Sequence, residues 1–336
     1  RVLDSRTLRL MLKRLLPLLL ILASPAWATV GYPVVGLSSD DPIATGTEYM
    51  GIMGTGEAGN WTATEANIYQ IIPAAGTISR LYVEAATAPD NGAGTQSYTF
   101  TFRAGATSGT IADTAMTCTI SEAQTSCSYQ GAGIAISAGD RVSFSSVPAN
   151  TPALPINLKI VTFWEPTTAG QYFWTGASNT TLTSLSANNY FSPIGSTVRD
   201  ATEADKYTIV GKAATAKNLY IEVGTAPQNG AGTQVFVWTL RDCSAYTAAS
   251  CASSGVTCTI SEDATTCSDT TNTWAITAEE MLTMEINPGP DLADPVQPGN
   301  IHMAFVLEMS DIQTWVTAKT TQTSLSTTVT RYLALN

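Results

Sequence analysis

The chain has 336 residues, of which 13% are charged, and its formal net charge is −11 at pH 7. A surface of this sign repels phosphate backbones and anionic lipids, which excludes nucleic-acid binding and membrane-surface binding as leading functions. Thr, Ser, Ala and Gly dominate the sequence. This composition is typical of secreted β-proteins and lacks the Glu, Lys and Leu richness of helical proteins.

The beginning of the chain has the three parts of a secretory signal peptide. A short segment at 11–14, which contains Lys13 and Arg14, precedes an apolar run at 15–23, and a small-x-small cleavage site ends at Ala28. We predict cleavage after Ala28, with Met11 as the translation start and residues 1–10 as upstream read-through. The apolar run is too short to span a bilayer, so no membrane insertion is expected after cleavage. The mature chain, with a net charge of about −15, is expected to be secreted, on the cell surface or in the periplasm.

A ten-residue stretch occurs twice in the chain with one substitution. The first copy, TAPDNGAGTQ, occupies residues 87–96, and the second, TAPQNGAGTQ, occupies residues 225–234. The sequences around both copies also match, with a period of about 140 residues, which is too long for a solenoid repeat. Each copy is therefore predicted to be a domain with its own core, and we place these domains at 29–168 and 169–309.

Within each copy, large apolar residues alternate with small polar ones. Tyr98, Phe100 and Phe102 alternate with threonines, which is the period of a strand with one buried face. Turn sequences separate about eight such runs in each copy, and no convincing helix is found. The sequence therefore predicts an all-β protein made of two tandem homologous β-sandwich domains. We prefer a jelly roll, with an immunoglobulin-like topology as the alternative.

A third copy of the repeat begins in residues 310–336. Trp315 and Tyr332 match Trp174 and Tyr190, which lie in the connecting segment and first strand of the second copy. A strand must pair its backbone groups, so two placements are open. The segment folds back and completes the second sandwich, as the Tyr190 strand would then complete the first, or it adds to a neighbouring subunit and builds a filament. The candidate assembly strand contains Trp315, Tyr332, Leu333 and Leu335.

The chain has six cysteines, all after the predicted signal peptide, which indicates an oxidising compartment. A four-residue turn between Cys118 and Cys127 would place them opposite each other on adjacent strands, at a distance that suits a disulfide. The predicted disulfides, each contributing about 2–3 kcal/mol, are Cys118–Cys127, Cys258–Cys267 and Cys243–Cys251. The short Cys-x-x-Cys pairs of zinc sites are absent, so metal ligation is a minor alternative and no metal or cofactor is expected.

The sequence offers little catalytic chemistry. His302 is the only histidine, and nucleophilic catalysis by Ser or Cys needs a histidine base. Because His302 alternates with the apolar residues of its strand, we expect it to face solvent. Acids recur in both copies, including the pairs Glu65 with Glu203 and Glu84 with Glu222. We interpret them as solvated surface groups and not as the paired carboxylates of a glycosidase. The protein is therefore predicted not to be an enzyme.

Two groups of residues are candidates for binding. The loop candidates are Asn91, Gly92, Asn229 and Gly230, although glycines that permit positive φ are sufficient reason for the motif. The aromatic candidates for stacking on a glycan are Tyr82, Tyr220 and Trp61.

The leading functional interpretation is a secreted, non-enzymatic structural protein, either a cell-surface protein or an extracellular filament subunit. Tandem domains, predicted disulfides and the surplus third copy favour it. The alternative is a carbohydrate- or surface-binding, adhesin-like module. The expected partners are accordingly other copies of the chain or a surface glycan. Sandwich folds host many unrelated functions, so the fold class alone does not decide between the two.

Overall fold

The structure is a computed structural model that describes residues 31–37, 42–53, 61–92, 94–154, 158–178, 187–196, 199–228, 234–245, 250–289 and 296–310. The described residues after Gly31 belong to one compact unit. They form β-strands and three short 3-10 helices, with no α-helix in these ranges, which confirms the predicted all-β class. None of the described helical segments has the length and apolarity needed to cross a membrane.

Residues 32–166, called the first half, form two five-stranded sheets. Sheet A contains β1 (Tyr32–Leu37), β4 (Gly76–Glu84), β7 (Ser126–Tyr129), β8 (Ile134–Ile136) and β10 (Lys159–Pro166). Sheet B contains β2 (Glu48–Met50), β3 (Gln70–Ile71), β5 (Ser97–Gly105), β6 (Ala112–Ser121) and β9 (Arg141–Ala149). All pairings in both sheets are antiparallel. The 3-10 helices of this half are Glu65–Asn67 and Ser108–Thr110.

Residues 171–308, called the second half, form two more five-stranded sheets. Sheet C contains β11 (Gln171–Ser178), β13 (Gly195–Ser196), β15 (Ala214–Val223), β18 (Thr266–Ile276) and β20 (Ile301–Glu308). Sheet D contains β12 (Asn189–Phe191), β14 (Thr208–Ile209), β16 (Val235–Cys243), β17 (Cys251–Ser261) and β19 (Met281–Pro288). Only the short pairing of β13 with β11 is parallel. The third 3-10 helix is Glu203–Lys206.

The two halves have the same strand order. Sheet A runs β1-β10-β4-β7 and sheet C runs β11-β20-β15-β18, while sheet B runs β2-β9-β5-β6 and sheet D runs β12-β19-β16-β17. Within the described ranges, no strand of one half pairs with a strand of the other. The halves also share a β-bulge, because Arg80 in β4 and Asn218 in β15 have φ values of 56° and 54° where the register shifts.

The strands that open each half pair within that same half. β11 pairs with β20 and β12 with β19, and their counterparts β1 and β2 pair with β10 and β9. Tyr190 lies in β12, so the expectation that its strand completes the first sandwich is wrong. The third copy falls outside the described residues, and with it the candidates Trp315, Tyr332, Leu333 and Leu335.

The core is built from the predicted alternation. Tyr98, Phe100 and Phe102 of β5 are fully buried. Between them, Thr99 and Thr101 point the other way and hydrogen-bond the threonines of β6 across the sheet, at 3.0 and 3.1 Å. Burying an aromatic side chain of this size contributes roughly 1.5–3 kcal/mol. In β16 the same inward positions are occupied by Phe236, Trp238 and Leu240, which are also fully buried.

Three disulfides are present, Cys118–Cys127, Cys243–Cys251 and Cys258–Cys267. Only Cys243 and Cys251 face each other on adjacent strands, β16 and β17. Cys118 in β6 belongs to sheet B and Cys127 in β7 to sheet A, with 5.7 Å between their Cα atoms. The expected hairpin is therefore wrong, because the chain crosses from one sheet to the other at this turn. Cys258–Cys267 joins sheets D and C in the same way.

We expect the double variant Cys258→Ser/Cys267→Ser to lose about 2–3 kcal/mol of unfolding free energy. The bond closes a short loop and ties the two sheets of the second half together. Urea denaturation followed by tryptophan fluorescence measures the loss. Cys118→Ser/Cys127→Ser is the matched comparison, since its Cα atoms are 5.7 Å apart and those of the first pair 5.8 Å. Unchanged midpoints in both variants would show that the bonds do not support the sandwiches.

Candidate functional site

The first glycine-rich loop is held by its own hydrogen bonds. The side-chain amide of Asn91 donates to the carbonyl of Thr151 at 2.7 Å, and Gln96 donates to the Asn91 side-chain oxygen at 2.5 Å. Gly92 has a φ of 80°, and its N–H binds the Asp90 carboxylate at 2.7 Å. These contacts give the motif a structural role. The corresponding residues of the second loop, Asn229 and Gly230, lie outside the described residues.

The three aromatic candidates lie in different surroundings. Trp61 is buried, with its ring centroid 6.2 Å from that of Phe100, so its assignment to glycan stacking is wrong because the ring belongs to the core. Tyr220 is partly buried beside the first half, where a Cβ on Gly139 would lie 3.5 Å from its ring. Tyr82, the counterpart of Tyr220, is 44% exposed. Only Tyr82 presents an open ring to solvent among these three.

His302 lies at the contact between the halves. It is 1% exposed, so the expectation of a solvent-facing histidine is wrong. Its ring stacks on that of Tyr69 with centroids 3.8 Å apart. Nδ1 lies 2.7 Å from the Tyr69 carbonyl oxygen and Nε2 lies 3.1 Å from that of Ala66. Burial lowers the pKa of His302 to about 4, against the opposing effects of these carbonyls and of Glu222, so the ring is neutral at pH 7.

The first half presents a 3-10 helix and β3 to this contact. Arg103 of β5 binds the carboxylate of Glu65, the first residue of that helix, through Nε and one terminal nitrogen at 2.8 and 3.2 Å. The hydroxyl of Ser143 donates to the same carboxylate at 2.5 Å. A bidentate arginine fixes a carboxylate in one orientation. The pair therefore anchors the helix that carries the Ala66 carbonyl towards His302.

The second half presents the outer side of sheet C. All eight residues of β11 are buried, and so are all residues of β20 except Glu308. One face of each strand packs in the core, and the other is covered by the first half, where β3 contacts both β11 and β20 and β10 contacts β11. The ring of Phe173 meets that of Trp164 edge to face, with centroids 5.2 Å apart. This two-sided burial makes sheet C the centre of the junction.

Polar contacts border the apolar part of the junction. The guanidinium of Arg141 lies 2.7 Å from the Glu222 carboxylate, with side chains 16% and 12% exposed. The hydroxyl of Tyr172 donates to the Pro33 carbonyl at 3.1 Å. Glu222 is therefore ion-paired and mostly buried, not solvated as expected. Together with the His302 contacts, these bonds hold the two halves in a single arrangement.

Glu203, another of the recurring acids expected to be solvated, is also buried. Its carboxylate binds Arg241 of β16 at 2.5 Å, as Glu65 binds Arg103. It lies with Cys243 and Cys251 in a group whose potential ligand atoms are within 4.8 Å of one another. The two sulfurs are bonded to each other, and a disulfide lacks the thiolates that bind a metal. Glu203 therefore holds a 3-10 helix in place.

A scan against protein-family models gives no match, and a search of curated proteins finds no similar sequence. Function is therefore inferred from the fold, the disulfides and the junction between the halves.

Proposed function

We propose that this protein is a secreted, non-enzymatic structural protein, a cell-surface or extracellular filament subunit built of tandem β-sandwich repeats at 29–168 and 169–309. One observation carries the proposal: two halves of equal strand order pack through a buried junction with matched polar contacts. Three disulfides fit an oxidising compartment outside the cytoplasm. A protein that stacks like units along one chain is suited to stacking them between chains.

We infer that each repeat is a jelly roll. With β3 omitted and β7 and β8 counted as one strand, the first half has eight strands with sheet orders 1-8-3-6 and 2-7-4-5. The second half has the same orders when β13 and β14 are omitted. The first strand thus lies beside the last, as expected for the two Greek keys of a jelly roll. In an immunoglobulin-like sandwich the first strand lies beside the second, so this strand order favours the jelly roll.

The C-terminal third copy, residues 315–336, has a proposed role in assembly. The positions that it repeats are occupied in the second half by β11 and β12, which pair with β20 and β19. Neither half needs this segment to supply its opening strands. This supports the addition of the segment to a neighbouring subunit, where main-chain hydrogen bonds would strengthen the contact.

Electron microscopy and sedimentation velocity of the full chain test the proposal. We expect linear assemblies, because the repeats would continue their stacking from one chain to the next. A variant ending at residue 310 is expected to keep its unfolding free energy and to need a higher protein concentration for assembly. A loss of stability in this variant would show that the segment closes the second sandwich. Dispersed monomers of the full chain under all conditions would overturn the structural function.

Carbohydrate binding is the second candidate, and the exposure of Tyr82 on the outer side of sheet A favours it. An open aromatic ring of this kind stacks on the apolar face of a sugar. Loss of glycan-array binding in Tyr82→Ala would support this candidate. No binding to any glycan on the array, or binding that Tyr82→Ala leaves unchanged, would rule out this candidate.

A further inference from the structure

We propose that the two surfaces that meet at the junction inside the chain also join one copy of the chain to the next. The outer side of sheet A, called the sheet A face, would dock on the 3-10 helix Glu203–Lys206 and β14 of another copy, called the β14 edge. This proposal rests on the proposed function, self-assembly, and names the surfaces that would perform it. The occupant of both surfaces is a second copy of the same chain.

The β14 edge is the uncovered counterpart of an edge that the junction buries. Residues 64–84 align with residues 202–222 without a gap, so Ile71 of β3 corresponds to Ile209 of β14. Ile71 is 1% exposed and Ile209 is 62% exposed. The difference arises because β3 contacts β11 and β20 of the second half. In the described part of the chain, Ile209 is the most exposed large apolar side chain.

The sheet A face is likewise the uncovered counterpart of a buried face. The outward residues of β20 are buried at the junction: His302, Ala304 and Val306. Their counterparts in β10 are exposed or half-buried: Lys159, Val161 and Phe163. Tyr82 extends this apolar surface on β4 and is 44% exposed, whereas its counterpart Tyr220 lies against Gly139. One chain thus exposes a counterpart of each surface that meets in the junction: the sheet A face and the β14 edge.

At one contact, residues that are uncharged in the junction have oppositely charged counterparts on the two uncovered surfaces, which suits docking between copies. In the junction, His302 Nε2 lies 3.1 Å from the carbonyl oxygen of Ala66, the residue that precedes Asn67. The uncovered counterparts of His302 and Asn67 are Lys159 and Asp205, both exposed. The same geometry would place the Lys159 ammonium at the carbonyl of Ala204, the residue next to Asp205, and complementary charges fix the register of an interface.

The remaining charges on the two surfaces do not oppose docking. They include both signs on each surface: Lys206, Lys212, Glu279 and Glu280 on the β14 edge, and Arg80, Glu84 and the half-buried Glu165 on the sheet A face. The Glu165 carboxylate accepts a hydrogen bond from the Ser79 hydroxyl at 2.8 Å. The counterpart of Arg141 is the uncharged Met281. The counterpart of Glu222 is Glu84, whose carboxylate lies 3.7 Å from the Lys159 ammonium of the same chain. No buried charge is therefore left alone by this arrangement.

The contact would be head-to-tail. The face and the edge lie in different halves of the same chain, so each copy offers one free member of each kind. Such a heterologous interface adds subunits without limit unless the rotation closes a ring. If the contact between copies repeats the junction between the halves of one chain, the same rotation and translation relates every pair of consecutive sandwiches in the assembly.

Charge reversal at two exposed residues tests the docking. In Lys159→Glu and in Asp205→Lys, like charges meet at the contact, so each variant alone is expected to need at least about tenfold more protein to assemble than the parent. An equimolar mixture of the two variants, and the double variant, are expected to regain assembly, because opposite charges meet again. Sedimentation velocity gives the assembly state, and circular dichroism verifies that each variant is folded.

A second pair of variants tests the apolar part. Ile209→Ser is expected to weaken assembly, whereas Val147→Ser is expected to leave it unchanged. Val147 is 42% exposed but lies on sheet B, away from both docking surfaces. Equal effects of the two substitutions would overturn the assignment of the β14 edge.

The outcomes separate this inference from the proposed function. Recovery in the mixture and in the double variant supports docking, and failure of both to recover overturns it. Single variants that assemble like the parent, together with a chain ending at 310 that does not assemble, would assign assembly to the C-terminal segment; the docking inference would then be wrong while the structural function stands. Absence of assembly in the unaltered full chain would overturn both.

Discussion

Replacing Arg241 by Met is expected to lower the unfolding free energy by about 3–5 kcal/mol. Its guanidinium lies 2.5 Å from the Glu203 carboxylate and 2.8 Å from that of Glu285. These carboxylate side chains are only 4% and 8% exposed, so the variant leaves two neighbouring buried charges without their cation. Burial already raises the pKa of Glu285, which Arg241 opposes. Urea denaturation at pH 7 measures the loss, and acidification is expected to reduce it by protonating Glu285, whose pKa is raised.

Arg103 provides the matched control, because it is the counterpart of Arg241 in the first half. It binds Glu65 and Asp113, whose side chains are 17% and 65% exposed. Water can solvate these groups when the arginine is removed, so Arg103→Met is expected to lose only about 1–2 kcal/mol. Equal losses in the two variants would contradict burial as the cause of the larger effect.

Lowering the pH from 7 to 4 is expected to remove about 3 kcal/mol of unfolding free energy through His302 alone. Burial lowers its pKa to about 4 in the folded chain, from the ordinary value of 6.5 for a histidine. The unfolded chain therefore takes up a proton first as the pH falls. The stabilisation is fully present above pH 6.5 and is lost as the pH falls through the folded pKa near 4.

His302→Gln isolates this contribution, because the amide can still donate to the Tyr69 carbonyl but does not titrate. The difference in unfolding free energy between pH 7 and pH 4 is expected to be about 3 kcal/mol smaller in the variant than in the parent. Lys159→Gln, at the exposed counterpart position, is expected to leave the pH profile of the parent unchanged. Parallel profiles for the parent and His302→Gln would show that the histidine does not titrate across this range.

The inward faces of the strands were predictable from sequence because alternation records which side meets the core. Phe100 and Phe102 in β5 are buried as predicted, and so are Met303 and Phe305, the apolar residues with which His302 alternates in β20. The burial of the outward face of β20 against the first half was not predictable. Alternation distinguishes only two sides, and a histidine among small residues also suits a surface strand. The partner that covers it, β3, lies more than 200 residues earlier in the chain.

The candidate site residues were also only partly predictable from the sequence. Nine-residue spacing predicted the pairing of Cys118 with Cys127, but spacing cannot tell two strands of one sheet from strands of two sheets. Trp61 follows a glycine-rich stretch and resembled a loop residue, although its ring packs on Phe100. The exposure difference between Tyr82 and Tyr220 had no sequence signal, because it depends on the other half of the molecule.

The neighbouring ends of each half have a mechanical consequence. Tyr32 at the start of β1 lies opposite Trp164 near the end of β10, and Gln171 at the start of β11 lies opposite Glu308 at the end of β20. The chain thus enters and leaves each sandwich at one corner. A pull along the chain at such a corner separates the two strands one residue pair at a time, a geometry that yields at low force.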